Sequence, residues 1–331
     1  MPNAHQLADY LAGRKTLEPF WLVTGADELL KLESIDAIRR RARELGYEDR
    51  EVLDLSARSD WSQLPDAAAA MGMFASQKII EVRLASSRPG TTGTDVLTKY
   101  VAHPYDGVVT IFSVPEVDWQ VQKSAWWTTV SRASTVVDCS PVERPALPGW
   151  LAKRMARHKQ SASKDALEAF ADLVEGNLLA ASQEVEKLAL LYPEGELMLE
   201  EIEAGVSNCS RFDAASLNKS VSLGEPDRAA RIVDGLEAQA EALPMVLVFF
   251  TGHVRNIAKL RAAYDAGQSR AQGVFATPEL QRAARRLTMK KLEAALLILA
   301  EIDRLAKGLP VPDRDSDPWV ELKSVALFLA R

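Results

Sequence analysis

Over its first 140 residues the chain alternates between two hydrophobic periods, and then the alternation stops. Short apolar runs rich in β-branched and aromatic residues occur at Phe20–Thr24, Glu51–Leu55, Lys78–Leu84, Val108–Val114 and Thr135–Asp138. Helical spacing fills the intervals at Leu29–Leu45, Trp61–Ala70, Thr94–Val101 and Trp119–Val130. Strands that alternate with helices need crossover connections, so the pattern predicts a parallel sheet covered on both faces. The unbroken apolarity of Val108-Val109-Thr110-Ile111-Phe112 suits a strand buried on both sides.

Three prolines, Pro141, Pro145 and Pro148, end this regime, and no strand pattern follows them. Leu178, Ala181, Val185, Leu188 and Leu191 then step by three and four up to Pro193, and Leu197–Val206 forms a further short helix. A polar stretch, Ser207-Asn208-Cys209-Ser210, precedes a last helical series: Pro226–Ala238, Leu243–Ala266, Pro278–Arg286, Met289–Lys307 and Pro318–Ala330. Thr277-Pro278 and Asp317-Pro318 each set a capping oxygen before a proline at the first helical position, where a missing N–H costs nothing. Gly308 suits the left-handed residue that ends a helix. The expected architecture is α/β plus all-α, with an α/β domain at 1–140, a small helical domain at 141–210 and a larger helical domain at 211–331.

Composition narrows the functional classes. With 331 residues, 47% hydrophobic and 26% charged, the chain is an ordinary globular protein of more than one domain. A net charge of -6 argues against a surface coated for nucleic acid. Two cysteines, Cys139 and Cys209, make no disulfide framework and suit a reducing cytosol. The N-terminus lacks a signal-peptide core, and apolar runs such as Leu243–Phe250 fall far short of a membrane span. A cytoplasmic protein without a membrane partner is expected. The four histidines show no metal-ligand spacing.

Little in the sequence speaks for catalytic chemistry. The turn Thr24-Gly25-Ala26-Asp27-Glu28, between the first strand and its helix, is where an α/β protein would hold a phosphate. A triphosphate loop needs several glycines, then a lysine and a hydroxyl. This turn has one glycine followed by two carboxylates that would repel phosphate and suit the helix start as caps. Lys31 has no Ser or Thr after it. Glu184, Glu186, Glu200, Glu201 and Glu203 read as solvated helix faces. No catalytic residue, cofactor or metal is expected.

Two features stand out. An alanine-rich helix runs into Met71-Gly72-Met73-Phe74-Ala75, where Gly72 would end the helix and project Met73 and Phe74 from a loop. Packing of both against the sheet is the plainer alternative. The segment 251–291 carries nine Lys/Arg against two acids. In it Arg282, Arg285 and Arg286 share one helical face by spacing, which fits DNA contact, a subunit interface or a solvated face.

The stretch Ala70-Met71-Gly72-Met73-Phe74-Ala75-Ser76 resembles the clamp-binding element of the bacterial DNA polymerase III delta subunit family. Agreement continues in Leu22-Val23-Thr24-Gly25-Ala26-Asp27-Glu28-Leu29-Leu30, Ala125-Trp126-Trp127, Glu175-Gly176-Asn177-Leu178-Leu179-Ala180, Glu186-Lys187-Leu188 and Trp319-Val320-Glu321-Leu322. No one stretch is specific; their order and spacing are. The resemblance implies a degenerate AAA+ parallel-sheet domain, a small helical lid and a helical collar that joins a five-subunit ring. It implies a clamp-loader subunit that binds and opens the sliding clamp beside ATPase motor subunits and a delta-prime subunit, reaching primed DNA through that complex. The family's Leu-Phe wedge falls on Met73 and Phe74, and methionine for leucine nearly conserves volume. Gly72 replaces a commoner polar residue. Active relatives carry a γ-phosphate-reading arginine three residues after a helix-opening glycine; counted from Gly176, that position is Leu179. The rival readings are an ATPase of the same fold, which needs a phosphate loop, and an autonomous nucleic-acid-binding module.

Overall fold

The computed structural model describes residues 4–70 and 77–331. Two compact units divide at residues 150 and 151. In the first, α1 (Leu7–Ala12), β1 (Phe20–Thr24), α2 (Glu28–Glu44), β2 (Asp49–Leu55), α3 (Gln63–Ala69) and β3 (Lys78–Leu84) lead to α4 (Gly90–Ala102) and β4 (Val108–Val114). The short α5 (Trp119–Gln122), α6 (Ala125–Ala133) and β5 (Thr135–Asp138) complete it. The sheet runs β2-β3-β4-β1-β5 with every pair parallel. β1 and β4, inside the sheet, are almost wholly buried, which is why their sequences are continuously apolar rather than alternating.

A buried carboxylate also stands in the sheet. Glu81 of β3 is 3% exposed and is gripped by Arg39 of α2 (2.8 Å) and Arg50 of β2 (2.5 Å). Burial alone would raise its pKa, but the hydrogen bonds from Arg50 and Arg39 outweigh burial and hold it below the usual carboxylate range.

Two helix boundaries depart from expectation. α4 begins at Gly90, before the expected Thr94, and carries Gly93 in its first turn. A Cβ at Gly93 would lie 2.5 Å from the buried Trp61 ring, so this glycine serves close packing. The expected helix Trp119–Val130 is split in two, with Ser124 extended between α5 and α6.

The helix α7 (Leu147–Arg157) crosses the division between the units, and the second continues with β6 (Gln160–Ala162), α8 (Lys164–Val174), α9 (Leu178–Leu191), β7 (Gly195–Leu197) and α10 (Leu199–Gly205). β6 and β7 pair in parallel, correcting the expectation that no strand follows the prolines and taking Leu197 out of the expected helix. Three-residue strands such as Gln160-Ser161-Ala162 are too short and too polar to show a period of two. Six helices follow: α11 (Ala214–Leu223), α12 (Pro226–Ala238), α13 (Leu243–Asp265), α14 (Pro278–Arg286), α15 (Met289–Ala306) and α16 (Pro318–Ala330). Thr277 and Asp317 cap α14 and α16 as expected, and Gly308 is left-handed. Their buried cluster draws wholly on residues between Phe212 and Ala330. Two ion pairs tie α12 to α8 and its C-cap: Arg228 with Glu175, and Arg231 with Asp172 at 2.7 Å.

On α13, partly buried, His253 shares a hydrogen bond of 2.7 Å with the buried Ser222 hydroxyl. Burial pushes its pKa down to about 4, against a weaker opposing bond to the Asn218 backbone. The folded state therefore resists the proton that the unfolded chain accepts near pH 6.5. Stability contributed by the neutral ring is full above that pH and falls as pH drops toward 4, by about 3 kcal/mol. Denaturant titrations at pH 7 and pH 4.5 should show this loss reduced in His253→Gln; an identical slope in both proteins would refute it.

Candidate functional site

The turn between β1 and α2 is closed by its own chain. Gly25 has φ +144°, and a Cβ there would lie 2.3 Å from the carbonyl carbon and oxygen of Cys139, just past β5. The Cys139 N–H donates to the Thr24 carbonyl (2.7 Å), and its carbonyl accepts from the Asp27 N–H (3.1 Å). Asp27 caps α2 by accepting from the Leu30 N–H at 2.9 Å, as the sequence suggested. Burial pushes its carboxyl pKa up, partly offset by the Leu30 and Leu29 amides. Glu28 pairs instead with Lys31 at 2.6 Å, and Lys31 is 7% exposed. The Asp27 and Leu30 amides and the Lys31 ammonium group are thus engaged by Cys139, Asp27 and Glu28. Cys139 was not singled out in the sequence. Burial raises its thiol pKa to about 11, so it offers no thiolate nucleophile.

Met73 and Phe74 lie outside the described residues, but both flanks of their segment are described. Lys78, the first residue of β3, is 5% exposed. Its Nζ donates to Glu51 (2.6 Å) and to the carbonyls of Ala67 (2.9 Å) and Ala70 (3.2 Å) at the end of α3. One cation thus satisfies orphan helix carbonyls and ties the helix end to the strand start across the segment. Beside it the Gln77 side-chain amide faces the carbonyls of Leu45 (3.0 Å) and Gly46 (3.3 Å), and those two acceptors assign its nitrogen to that side. Lys78→Met keeps the stem and strands the two carbonyls, so urea unfolding should show a loss of about 1–3 kcal/mol. Wild-type stability would mean that Lys78 anchors nothing.

The structure separates the three arginines that spacing had grouped. Arg286 turns inward, donating to the carbonyls of Val221 (2.6 Å), Leu329 (2.9 Å) and Ala330 (3.2 Å), where it caps the ends of α11 and α16. Arg282 and Arg285 are exposed. Arg285 lies 5.9 Å over the Tyr264 ring and, with Arg261 and Gln281, lines an open groove of about 630 Å³. Two arginines of the three are therefore available for contact with DNA or a neighbouring subunit. Leu179 sits exposed in the first turn of α9. Gly176 before it is left-handed against the Arg211 carbonyl, which a Cβ would meet at 2.0 Å. Among the described residues no cluster of His, Cys, Asp and Glu could hold a metal ion, and no helix is long and apolar enough to cross a membrane.

The family described as DNA polymerase III, delta subunit matches residues 21–140. The DNA polymerase III subunit delta of Escherichia coli (strain K12) is 26% identical over 325 residues, covering 95% of this chain and 92% of that protein. The same subunit of Haemophilus influenzae is 24% identical over 347 residues, with 97% of each chain covered. Among solved structures, the Bacillus subtilis DNA clamp loader delta protein superposes with a TM-score of 0.51 at 16% identity, covering 99% of this chain and 100% of that one. That likeness is one of fold.

Proposed function

Because the chain belongs to the DNA polymerase III delta subunit family, the clamp-loader subunits of DNA replication, we propose that it grips and opens the sliding clamp without hydrolysing ATP. The observation that carries the non-catalytic half is the turn at Gly25, whose one glycine packs against Cys139 and whose Asp27 amide is already bonded to the Cys139 carbonyl. An ATPase of this fold would need those donors free.

Met73 and Phe74 act as the hydrophobic wedge for a clamp pocket. The buried Lys78 supports this by holding the segment's two ends together, so that less order is lost on binding. Opening then needs no chemistry in this chain: a wedge that binds the open clamp interface better than the closed one shifts the ring by that difference in affinity. The α/β residues 1–140 bind the clamp, residues 141–210 form the lid, and residues 211–331 form the collar that joins the motor subunits and delta-prime. A core drawn from residues 212–330 alone supports the collar assignment. Primed DNA is reached in the assembled complex.

The direct test is co-purification of this chain with a sliding clamp. Alongside it, the isolated protein should show no saturable micromolar binding of a labelled ATP analogue and no phosphate release. Either activity would overturn the non-catalytic reading.

A further inference from the structure

α13 buries one side in the helical core through Leu243, Val246, Leu247, Phe250, Val254, Ile257 and Leu260. Its opposite side is open. Met245, Val248 and Phe249 are 58%, 66% and 57% exposed, and steps of three and four put Gly252, Arg255 and Lys259 on the same line. A Cβ at Gly252 would meet nothing within 4 Å, so a neighbouring backbone can approach closely there. Arg255 and Lys259 are exposed, and no ion pair among the described residues engages them. One helix face is thus apolar over its first two turns and, past Gly252, cationic in its fourth and fifth.

We propose that this face of α13 docks a helix of another clamp-loader subunit whose own face is apolar and then acidic. The proposal rests on the clamp-loader reading and adds the surface and the chemistry of its partner. Charge decides among occupants. In an antiparallel pairing with a second copy, Met245 and Phe249 would meet Arg255 and Lys259; in a parallel pairing the cations would face each other. A second copy does not match itself on this line. DNA would find phosphate partners at Arg255 and Lys259 and none at Met245, Val248 and Phe249. An apolar seam ending in carboxylates satisfies both halves.

The test uses the full chain with purified motor and delta-prime subunits. Phe249→Asp should weaken assembly by at least about tenfold at every salt concentration, since it puts a charge into the apolar seam. Arg255→Glu with Lys259→Glu should weaken it most at low salt, with the deficit shrinking as salt screens it. Val248→Cys in a Cys209→Ser background should react quickly with a maleimide in the free chain and at least about tenfold more slowly once assembled. This labelling decides the matter even if a charged variant folds poorly. Wild-type assembly of both charged variants, or unprotected labelling in the complex, overturns the assignment of the face. So does self-association that Phe249→Asp abolishes, or a loss confined to DNA binding. Failure of the wild-type chain to join the loader at all sinks the clamp-loader reading itself, a different result from intact assembly with Val248 still reactive.

Discussion

Replacing Met73 and Phe74 together by alanine is expected to lower affinity for the sliding clamp on the order of a hundredfold or more while leaving folding nearly unchanged. Burying a Met or Phe side chain contributes roughly 1.5–3 kcal/mol, so the pair accounts for about 3–6 kcal/mol of binding. About 1.4 kcal/mol is tenfold. Phe74→Ala should cost more than Met73→Ala, since aromatic anchors in desolvated pockets dominate many interfaces. The stability half of the prediction separates a partner-facing wedge from core packing. Were these two side chains part of the core, each truncation would cost about 2–5 kcal/mol of stability. A melt run beside the clamp titration decides: a large drop in Tm with affinity preserved would sink the wedge. Lys78 supplies a control, because Lys78→Met should lower stability through the end of α3 without deleting a contacting side chain.

Gly25→Ala is expected to cost about 3 kcal/mol or more, nearly all of it by a backbone mechanism. At φ +144° an alanine is strained, by roughly 1–3 kcal/mol. Its Cβ would also press on the Cys139 carbonyl, part of the strand-end ladder that accepts from Asp27, and such overpacking adds about 1–3 kcal/mol. In a unit of this size the melting temperature should fall by roughly 6–12 °C. A melt within a degree of wild type would show that the turn can move away from Cys139 and that the site is not closed as described. Gly176→Ala, with the Arg211 carbonyl at 2.0 Å, is the matching position in the second unit.

What was legible in the sequence was local or strongly periodic. β1, β3, β4 and β5 begin and end where the apolar runs do, and in β1 and β4 this is because strands buried on both faces leave little room for polar alternation. α14 and α16 start where Thr277-Pro278 and Asp317-Pro318 say they should, since a cap and its helix lie within four residues. The lack of a phosphate loop was equally plain, because that chemistry needs particular residues in one short stretch. The order and spacing of stretches along the chain carried the family.

Tertiary structure decided whatever depends on residues far apart. One glycine at position 25 can be counted in the sequence, but that it yields to the Cys139 carbonyl is a contact across 114 positions. Spacing places Arg282, Arg285 and Arg286 together; the free carbonyls at the ends of α11 and α16 draw Arg286 inward and leave the other two outside. Lys78 reads as a strand-edge charge until α3 brings two helix carbonyls onto its ammonium group. The period of α13 shows where its core face lies, and only the neighbouring helices determine that the face opposite, from Met245 to Lys259, is left uncovered. Short-range physics writes caps, strands and periods into neighbouring residues, whereas burial and the pairing of polar groups belong to the surroundings that folding assembles.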